Sequence, residues 1–513
     1  MKKAVLLFTA VGMLFSGCNN FLNEEPDARA KVESYEDIKE LLVNAYPQAT
    51  YHLINETMSD NVTDMGVGSG SATAITDEEM YYWKEGTDDD TDSPFAVWTG
   101  WYAGIAAANH ALREIEKLPE TPELKALKGE ALLCRALGHF LLVNLWAEHY
   151  DPATAATALG VPYVKEPETV AVKYYKRNTM QECYDYIEED MLRGISMIKD
   201  EIYSQPKFHF SKRSAHAFAA RFYTYKGTDW GKVLKHANLA IPENFETEMR
   251  NNVEMKKLAV MEYIRQYTLP VQSAILLSVT VESYWNDMYA TCPPRNSIYS
   301  LSPVDLRDLI PITGMSSFTG SIWNYRTEGN TGLDVAATMA KSYGYFKNES
   351  LTSNRGMTYL NVPMFTVEDV ALNKIEAYAM MGDTLHALQN MDRFISMRAH
   401  KPEEVDKMTT QLLQNFYESP TGLVTALDLE PHYASELQAD PCKMNIMKAV
   451  SQLRRMEFLQ EGMRWFDIKR FHLPVTHRVT STKENMVLER YDKRRVLQIP
   501  QEAQKRGVVP NER

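Results

Sequence analysis

The residues best placed to do chemistry are flat rings in two polar stretches far apart in the chain. Tyr81, Tyr82 and Trp83 close a first stretch, and Trp285, Tyr289, Trp323 and Tyr325 lie in a second. No helical stripe accounts for either set. Tyr and Trp faces stack on the apolar C–H faces of sugar rings through buried area and the ring quadrupole, and a few polar neighbours fix orientation. The alternative for each ring is packing beneath its own loop. Other chemistries find less support. Gly66, Gly68 and Gly70 mimic a phosphate loop, but no strand leads in and no Gly-Lys-Ser/Thr closes it. Asp88-Asp89-Asp90-Thr91-Asp92 resembles a calcium loop without its central glycine, and Thr99 stands where the closing glutamate belongs. It reads as a solvated loop. No CxxC or Cys/His cluster points to a metal, no nucleophile or zinc motif is recognisable, and no cofactor is expected.

The chain opens with basic Met1–Lys3, an apolar run Ala4–Phe15 too short to span a bilayer, and Ser16-Gly17-Cys18. That order is the pattern of a bacterial lipoprotein signal, cleaved before Cys18, whose thiol then carries lipid. Phe15 departs from the usual leucine. Asn19–Ala30 follows as a polar, acidic arm. The formal charge of -13 argues against nucleic acid as a partner. Of the remaining cysteines, Cys134 and Cys183 fall on apolar helix faces and Cys292 and Cys442 lie in loops; spacing leaves any pairing open.

Helical hairpins must position the loops. Trp101, Ile105, Ala108, Leu112, Ile115 and Leu118 form one stripe, ended by Pro119. Thr121-Pro122 is an N-cap followed by proline at the first helical position, and Leu124, Leu127, Ala131, Cys134, Gly138, Leu141 and Leu145 line the next helix. Its small middle predicts close approach of another helix. A second hairpin begins at the capping box Thr179–Glu182, continues through Ser211–Lys226, and Asp229-Trp230 opens a helix to Ala240. Helix, small-residue helix, short turn is the rhythm of tetratricopeptide units. From Pro242 to Pro363 the stripes fade, with one strand-length apolar run at Ala274–Val281. Helices return from Val367, Lys401–Met444 reads as another polar insertion, and one last helix is expected to carry Arg454 through Arg470.

That last segment resembles the SusD/RagB family of Bacteroidetes outer-membrane lipoproteins. The matching run is Arg454-Arg455-Met456-Glu457, then Glu461-Gly462-Met463-Arg464-Trp465-Phe466-Asp467-Ile468-Lys469-Arg470, with Phe458 where leucine is usual. Trp98, Tyr102, Ile105 and Asn109, the segment Glu130–Trp146 leading to Gly160-Val161-Pro162, Arg177-Asn178-Thr179, Asp229-Trp230, and the tail Leu497-Gln498-Ile499-Pro500 support it. The resemblance implies a mostly α fold in which tetratricopeptide-like helix pairs (an α–α superhelix) support a loop-rich, irregular ligand-binding region. The expected organisation is a signal at 1–17 and a mature domain at 18–513, divided into a helical-repeat part (18–241), a variable insertion (242–362) and a C-terminal part (363–513). It further implies a lipid anchor at Cys18, a surface location on the outer membrane, and capture of glycan for a SusC-like TonB-dependent transporter, without catalysis. Peptide or glycoprotein ligands are the alternative, and a surface glycosidase ranks below both. The charged run itself reads as structural, with Arg454, Glu457, Glu461 and Arg464 pairing among themselves at helical spacing.

Overall fold

The structure is a computed structural model; it describes residues 34–66, 74–170, 173–285, 298–301, 327–329, 337–339, 341–348, 350, 355–399, 406–418, 427–479 and 482–513. Cys18, Tyr289, Cys292, Trp323 and Tyr325 lie outside the described residues.

The fold is mostly helical, and local signals set its first pair. Ser93 Oγ accepts the amide of Ala96 at 3.1 Å and starts the helix Pro94–Ile115. Thr121 Oγ1 accepts the amide of Leu124 at 3.2 Å and starts Pro122–Trp146. The second helix is buried almost all round from Leu124 to Trp146, because Pro94–Ile115 packs on one side and Met180–Met197 on the other. The small middle does what its composition predicts: a Cβ on Gly138 would lie 2.8 Å from Ile105 Cγ1. In the capping box before Met180–Met197, Thr179 Oγ1 accepts from the Glu182 amide and Glu182 Oε2 accepts from the Thr179 amide, at 3.2 and 3.0 Å.

Lys212–Lys226 packs on Trp230–Ala240. The chain then leaves the helical frame. The helix that packs beside Trp230–Ala240 is Val367–Met380, beyond the insertion, and both Thr384–Ser396 and Pro441–Glu457 pack on it in turn. One helix pair is thus split by the insertion, and the frame closes around it.

Between the two halves lies an antiparallel three-stranded sheet in the order Ile275–Glu282, Gly356–Thr366, Gly344–Asn348. The central strand runs directly into Val367–Met380, with Thr366 as its N-cap. A hairpin of Val475–Val479 and Glu484–Leu488 follows Arg464–Arg470, and the short helix Gln501–Lys505 comes after it. No helix among the described residues is long and apolar enough to cross a membrane.

Two expectations need correction. Lys401–Met444 is not simply an insertion: within it are Thr410–Tyr417 and Ala434–Ala439, and Asp440 with Pro441 already begins the frame helix Pro441–Glu457. The segment from Arg454 to Arg470 is not one helix. Pro441–Glu457 stops, and Arg464–Arg470 starts anew. Gln460 and Gly462 sit at φ of 62° and 68°, a left-handed conformation that ends helices. A Cβ on Gly462 would also meet Tyr51 at 2.9 Å and the His52 Cα at 3.0 Å.

Candidate functional site

The first aromatic stretch follows the helix Ile75–Tyr81. Tyr81 is fully buried between two rings, Tyr299 and His477, each at a centroid distance of 4.2 Å. His477 stacks in turn on Trp83 at 4.4 Å, and the Arg494 guanidinium lies over the far face of this column at 5.9 Å from the Trp83 centroid. Polar contacts fix the column in place. Tyr81 Oη donates to the Arg478 carbonyl at 2.5 Å and accepts from the Asp64 amide at 2.9 Å. Trp83 Nε1 donates to the Met58 carbonyl at 3.0 Å. The His477 ring nitrogens lie 2.8 Å from the carbonyls of Tyr81 and Ser59. Burial pushes this imidazole below its ordinary range, against those two bonds. Trp83 itself holds φ at 49°, a left-handed conformation unusual for a large side chain that the buried, bonded ring enforces.

Tyr81 and Trp83 are therefore enclosed, with protein on the faces that a sugar would need. Trp285 is enclosed as well, 1 % exposed, with its ring edge towards His52 at 6.1 Å. Of the expected aromatics among the described residues, Tyr82 alone stays partly exposed. Its ring stands edge-on to Tyr81 and Tyr299 and carries the Lys84 ammonium at 4.9 Å.

The acidic run divides in the same manner. The carboxylates of Asp88, Asp89 and Asp90 lie within 4.8 Å of one another on the partly or fully exposed side of the loop. Asp92 turns inward instead. It is buried at φ 68°, and its Oδ2 accepts from Ser283 Oγ at 3.0 Å and from the Tyr284 amide at 2.7 Å. Its Oδ1 has no hydrogen-bond partner. Burial pushes the carboxyl up to about 7; the Ser283 and Tyr284 bonds oppose this, and Asp77 and Glu282 add to it. The reading of a wholly solvated loop fails at this residue, which fastens the first loop to the start of the second.

The charged C-terminal run is structural, but not through the pairs expected from helical spacing. With the helix ended at Glu457 and a new one begun at Arg464, each side chain reaches another part of the fold. Arg454 Nε bonds Asp467 at 3.0 Å and its Nη1 bonds Asp369 at 3.2 Å. Asp369 also takes Arg221 at 2.9 Å, Asp467 takes Arg470 at 3.1 Å, and Arg470 Nη2 bonds Glu376 at 3.0 Å. Three guanidinium groups thus meet three carboxylates, so the buried chain of charges is balanced. Glu457 pairs with Arg398, Glu461 with Lys341, and Arg464 with Asp60. Burial alone would raise the Asp60 carboxyl, but Arg455 and Arg464 hold it well below the usual carboxylate range. These buried ion pairs tie separate segments of the fold together, which is a structural role.

Two family models match this chain. One, described as "Starch-binding associating with outer membrane", matches residues 20–224, and the other, described as "SusD family", matches residues 309–507. The chain belongs to the SusD family. Solved structures share the SusD-family fold over nearly the full length. A SusD superfamily protein from Bacteroides thetaiotaomicron is 19 % identical with a TM-score of 0.64, covering 94 % of this chain and 100 % of that one. A SusD superfamily protein from Bacteroides vulgatus is 15 % identical with a TM-score of 0.65, covering 93 % and 99 %. A SusD-like carbohydrate binding protein from Bacteroides vulgatus is 13 % identical with a TM-score of 0.62, covering 92 % and 96 %. Comparison with curated proteins gives no significant match.

Sequence reasoning missed His477, Tyr299 and Asp92 as the residues that organise the loop. His477 carries no local signal, because its partners come from distant segments. Asp92 could have been noticed as the residue just before the helix cap Ser93.

Proposed function

We propose that this SusD-family chain is a surface lipoprotein that binds glycan and delivers it to a TonB-dependent outer-membrane transporter, without catalysing a reaction. The observation that carries the reading is the match of residues 20–224 to a family model described as starch-binding and associating with the outer membrane. The carbohydrate-binding name of the Bacteroides vulgatus neighbour supports it. So does the Ser16-Gly17-Cys18 sequence, which would place lipid on Cys18 and tether the mature chain. Stable anchoring by lipid takes more than one acyl chain, so the proposed modification of Cys18 would have to carry several; no helix among the described residues is long and apolar enough to cross a membrane. At the loop rim, Tyr82 is the expected ring that stays partly exposed among the described residues, and Tyr289, Trp323 and Tyr325, outside the described residues, would join it in the proposed platform. Tyr81, Trp83 and Trp285 would hold that platform from beneath.

The test has three arms. Affinity electrophoresis of the purified chain against starch, xylan, mannan and pectin should retard it in at least one gel, and no product should form on prolonged incubation. Gentle detergent extraction from cells should co-purify a large barrel protein in near-equal amount. Cys18→Ala should release the chain from the membrane fraction. Retardation by none of the glycans would overturn the binding role, and release of sugar from a bound one would overturn the absence of catalysis. Membrane attachment unchanged by Cys18→Ala would overturn the anchor.

A further inference from the structure

The three-stranded sheet presents its two faces to different surroundings. Successive side chains on a strand point to opposite faces, so Leu277, Val279 and Val281 enter the core while Ser278, Thr280 and Glu282 face the other way. The register carries that second face across the sheet. Thr280 pairs with Asn361, Glu282 with Tyr359, and Tyr359 with Tyr345 on the outer strand. The outward face is thus polar but carries two neighbouring tyrosines. Their rings are 5.9 Å apart and within 24° of parallel, and Tyr345 is 37 % exposed. Thr280 Oγ1 bonds Asn361 Oδ1 at 2.8 Å, which leaves the Asn361 amide N–H groups available for another acceptor.

Beside this face is a cleft of about 490 Å³, bounded by Tyr359, the Ser278–Glu282 edge, the turn Asn44–Gln48 and His209. The histidine is held in a defined state. Its Nδ1 lies 2.7 Å from Glu130 Oε1, a fully buried carboxylate that also accepts from the hydroxyls of Tyr46 and Tyr203. The Tyr203 ring stacks on the imidazole at 4.2 Å. With Nδ1–H directed at the Glu130 carboxylate, Nε2 has no partner among the described residues. A ring fixed by a carboxylate and a stacked neighbour loses little further freedom on binding, the condition that favours affinity.

We propose that this sheet face and cleft form a carbohydrate site separate from the loop rim. Tyr345 and Tyr359 would stack on the C–H faces of pyranose rings, and Asn361 and His209 Nε2 would bond their hydroxyls. Nothing in the loop-aromatic site requires these residues, and the inference rests on the glycan-binding reading above.

The experiment uses the full mature chain and the same starch, xylan, mannan and pectin, with soluble oligosaccharides of each as titrants. Hydroxyl-radical footprinting reads Tyr345 and Tyr359 directly in the wild type, whatever the loop site contributes. With the oligosaccharide that binds, labelling of both tyrosines should fall severalfold. The double variant Tyr345→Ala/Tyr359→Ala should lose at least about tenfold in association constant with an unchanged melt, and His209→Ala should lose a smaller factor. Wild-type binding with both tyrosines labelled as before would overturn this site and leave the glycan reading standing. Binding to none of the probes would overturn the glycan reading and this site with it. Should the double variant unfold, the wild-type footprint decides.

Discussion

Asp92→Asn should stabilise the protein at neutral pH and leave it unchanged in acid. The carboxyl is buried with one oxygen bonded to Ser283 and Tyr284 and the other unpartnered. Burial pushes it up from 3.8 to about 7. The native state therefore holds this proton over a range where the unfolded chain has released it. Stability then falls as pH rises between those two values, because the unfolded state binds fewer protons there. At about 1.4 kcal/mol for each pH unit, a displacement of roughly three units sets a ceiling of about 4 kcal/mol lost above pH 7. Asparagine keeps an acceptor for Ser283 and Tyr284, carries no charge, and tolerates the left-handed φ of 68°.

The variant should gain about 2–4 kcal/mol over wild type at pH 8, with the difference closing as pH falls below 4. For a chain of this length, unfolding entropy of about 2.1 cal/mol/K per residue gives close to 1 °C in Tm per kcal/mol, so a shift of about 2–4 °C at pH 8 is expected. Urea unfolding from pH 4 to pH 8, followed by fluorescence, measures it. Asp92→Ala should lose about 1–3 kcal/mol in acid, because Ser283 and Tyr284 lose their acceptor, and the loss should be offset above pH 7, where wild type carries the buried charge. Asp89→Asn, on the exposed side of the loop, should do nothing. If wild type and Asp92→Asn trace parallel profiles between pH 5 and pH 8, the carboxyl is not held protonated and the reasoning is refuted.

Three other outcomes are expected. Trp83→Ala should cost about 3–5 kcal/mol in urea unfolding, as for large buried aromatics, whereas Tyr82→Ala should leave the unfolding midpoint alone and weaken retardation by the bound glycan. Arg454→Met should cost about 3–5 kcal/mol by leaving Asp369 and Asp467 short of a partner, and Arg454→Lys should recover only part, since a single ammonium cannot reproduce the fork; equal midpoints for all three chains would show that the network is neutral. Gly462→Ala should destabilise by about 1–3 kcal/mol through its positive φ, measured by the same unfolding, and a stable variant would mean that the turn relaxes.

The helical frame was legible because its signals are local. Thr121 and Thr179 cap the helices they were expected to cap, and the small residue Gly138 admits Ile105. What could not be read were facts set by distant partners. The column of Tyr299, Tyr81, His477 and Trp83 gathers residues from three segments, so exposed and buried loop rings look alike in the sequence. The pairing of Trp230–Ala240 with Val367–Met380 is hidden by the insertion between them. The run from Arg454 to Arg470 misled because helical spacing was extended past Glu457, where the left-handed residues Gln460 and Gly462 redirect every later side chain. Tyr359 did carry a signal: Leu360, Val362 and Met364 alternate with Tyr359, Asn361 and Pro363, the period of a half-buried strand.

The destinations of that charged run explain why an irregular region can sit on a regular frame. Apolar burial drives collapse but is non-directional, so a frame packed by it alone could slide against the segments that enter and leave the loops. Guanidinium–carboxylate pairs are directional and bind in a set geometry. Arg464 fixes Asp60, just before the first loop. Arg454 and Arg221 fix Asp369, just after the sheet. Lys341, inside the insertion, is held by Glu461 at 2.9 Å. Lys469 donates to the carbonyls of Asn144 and Ala147 at the end of the first hairpin, both at 2.6 Å. Such buried pairs contribute little net stability against apolar replacements; what they add here is register. With Asp60 and Asp369 pinned from the frame, and Asp92 tying the first loop to Ser283 in the second, the loop surfaces are oriented by their ends and leave their exposed side chains free to meet a ligand.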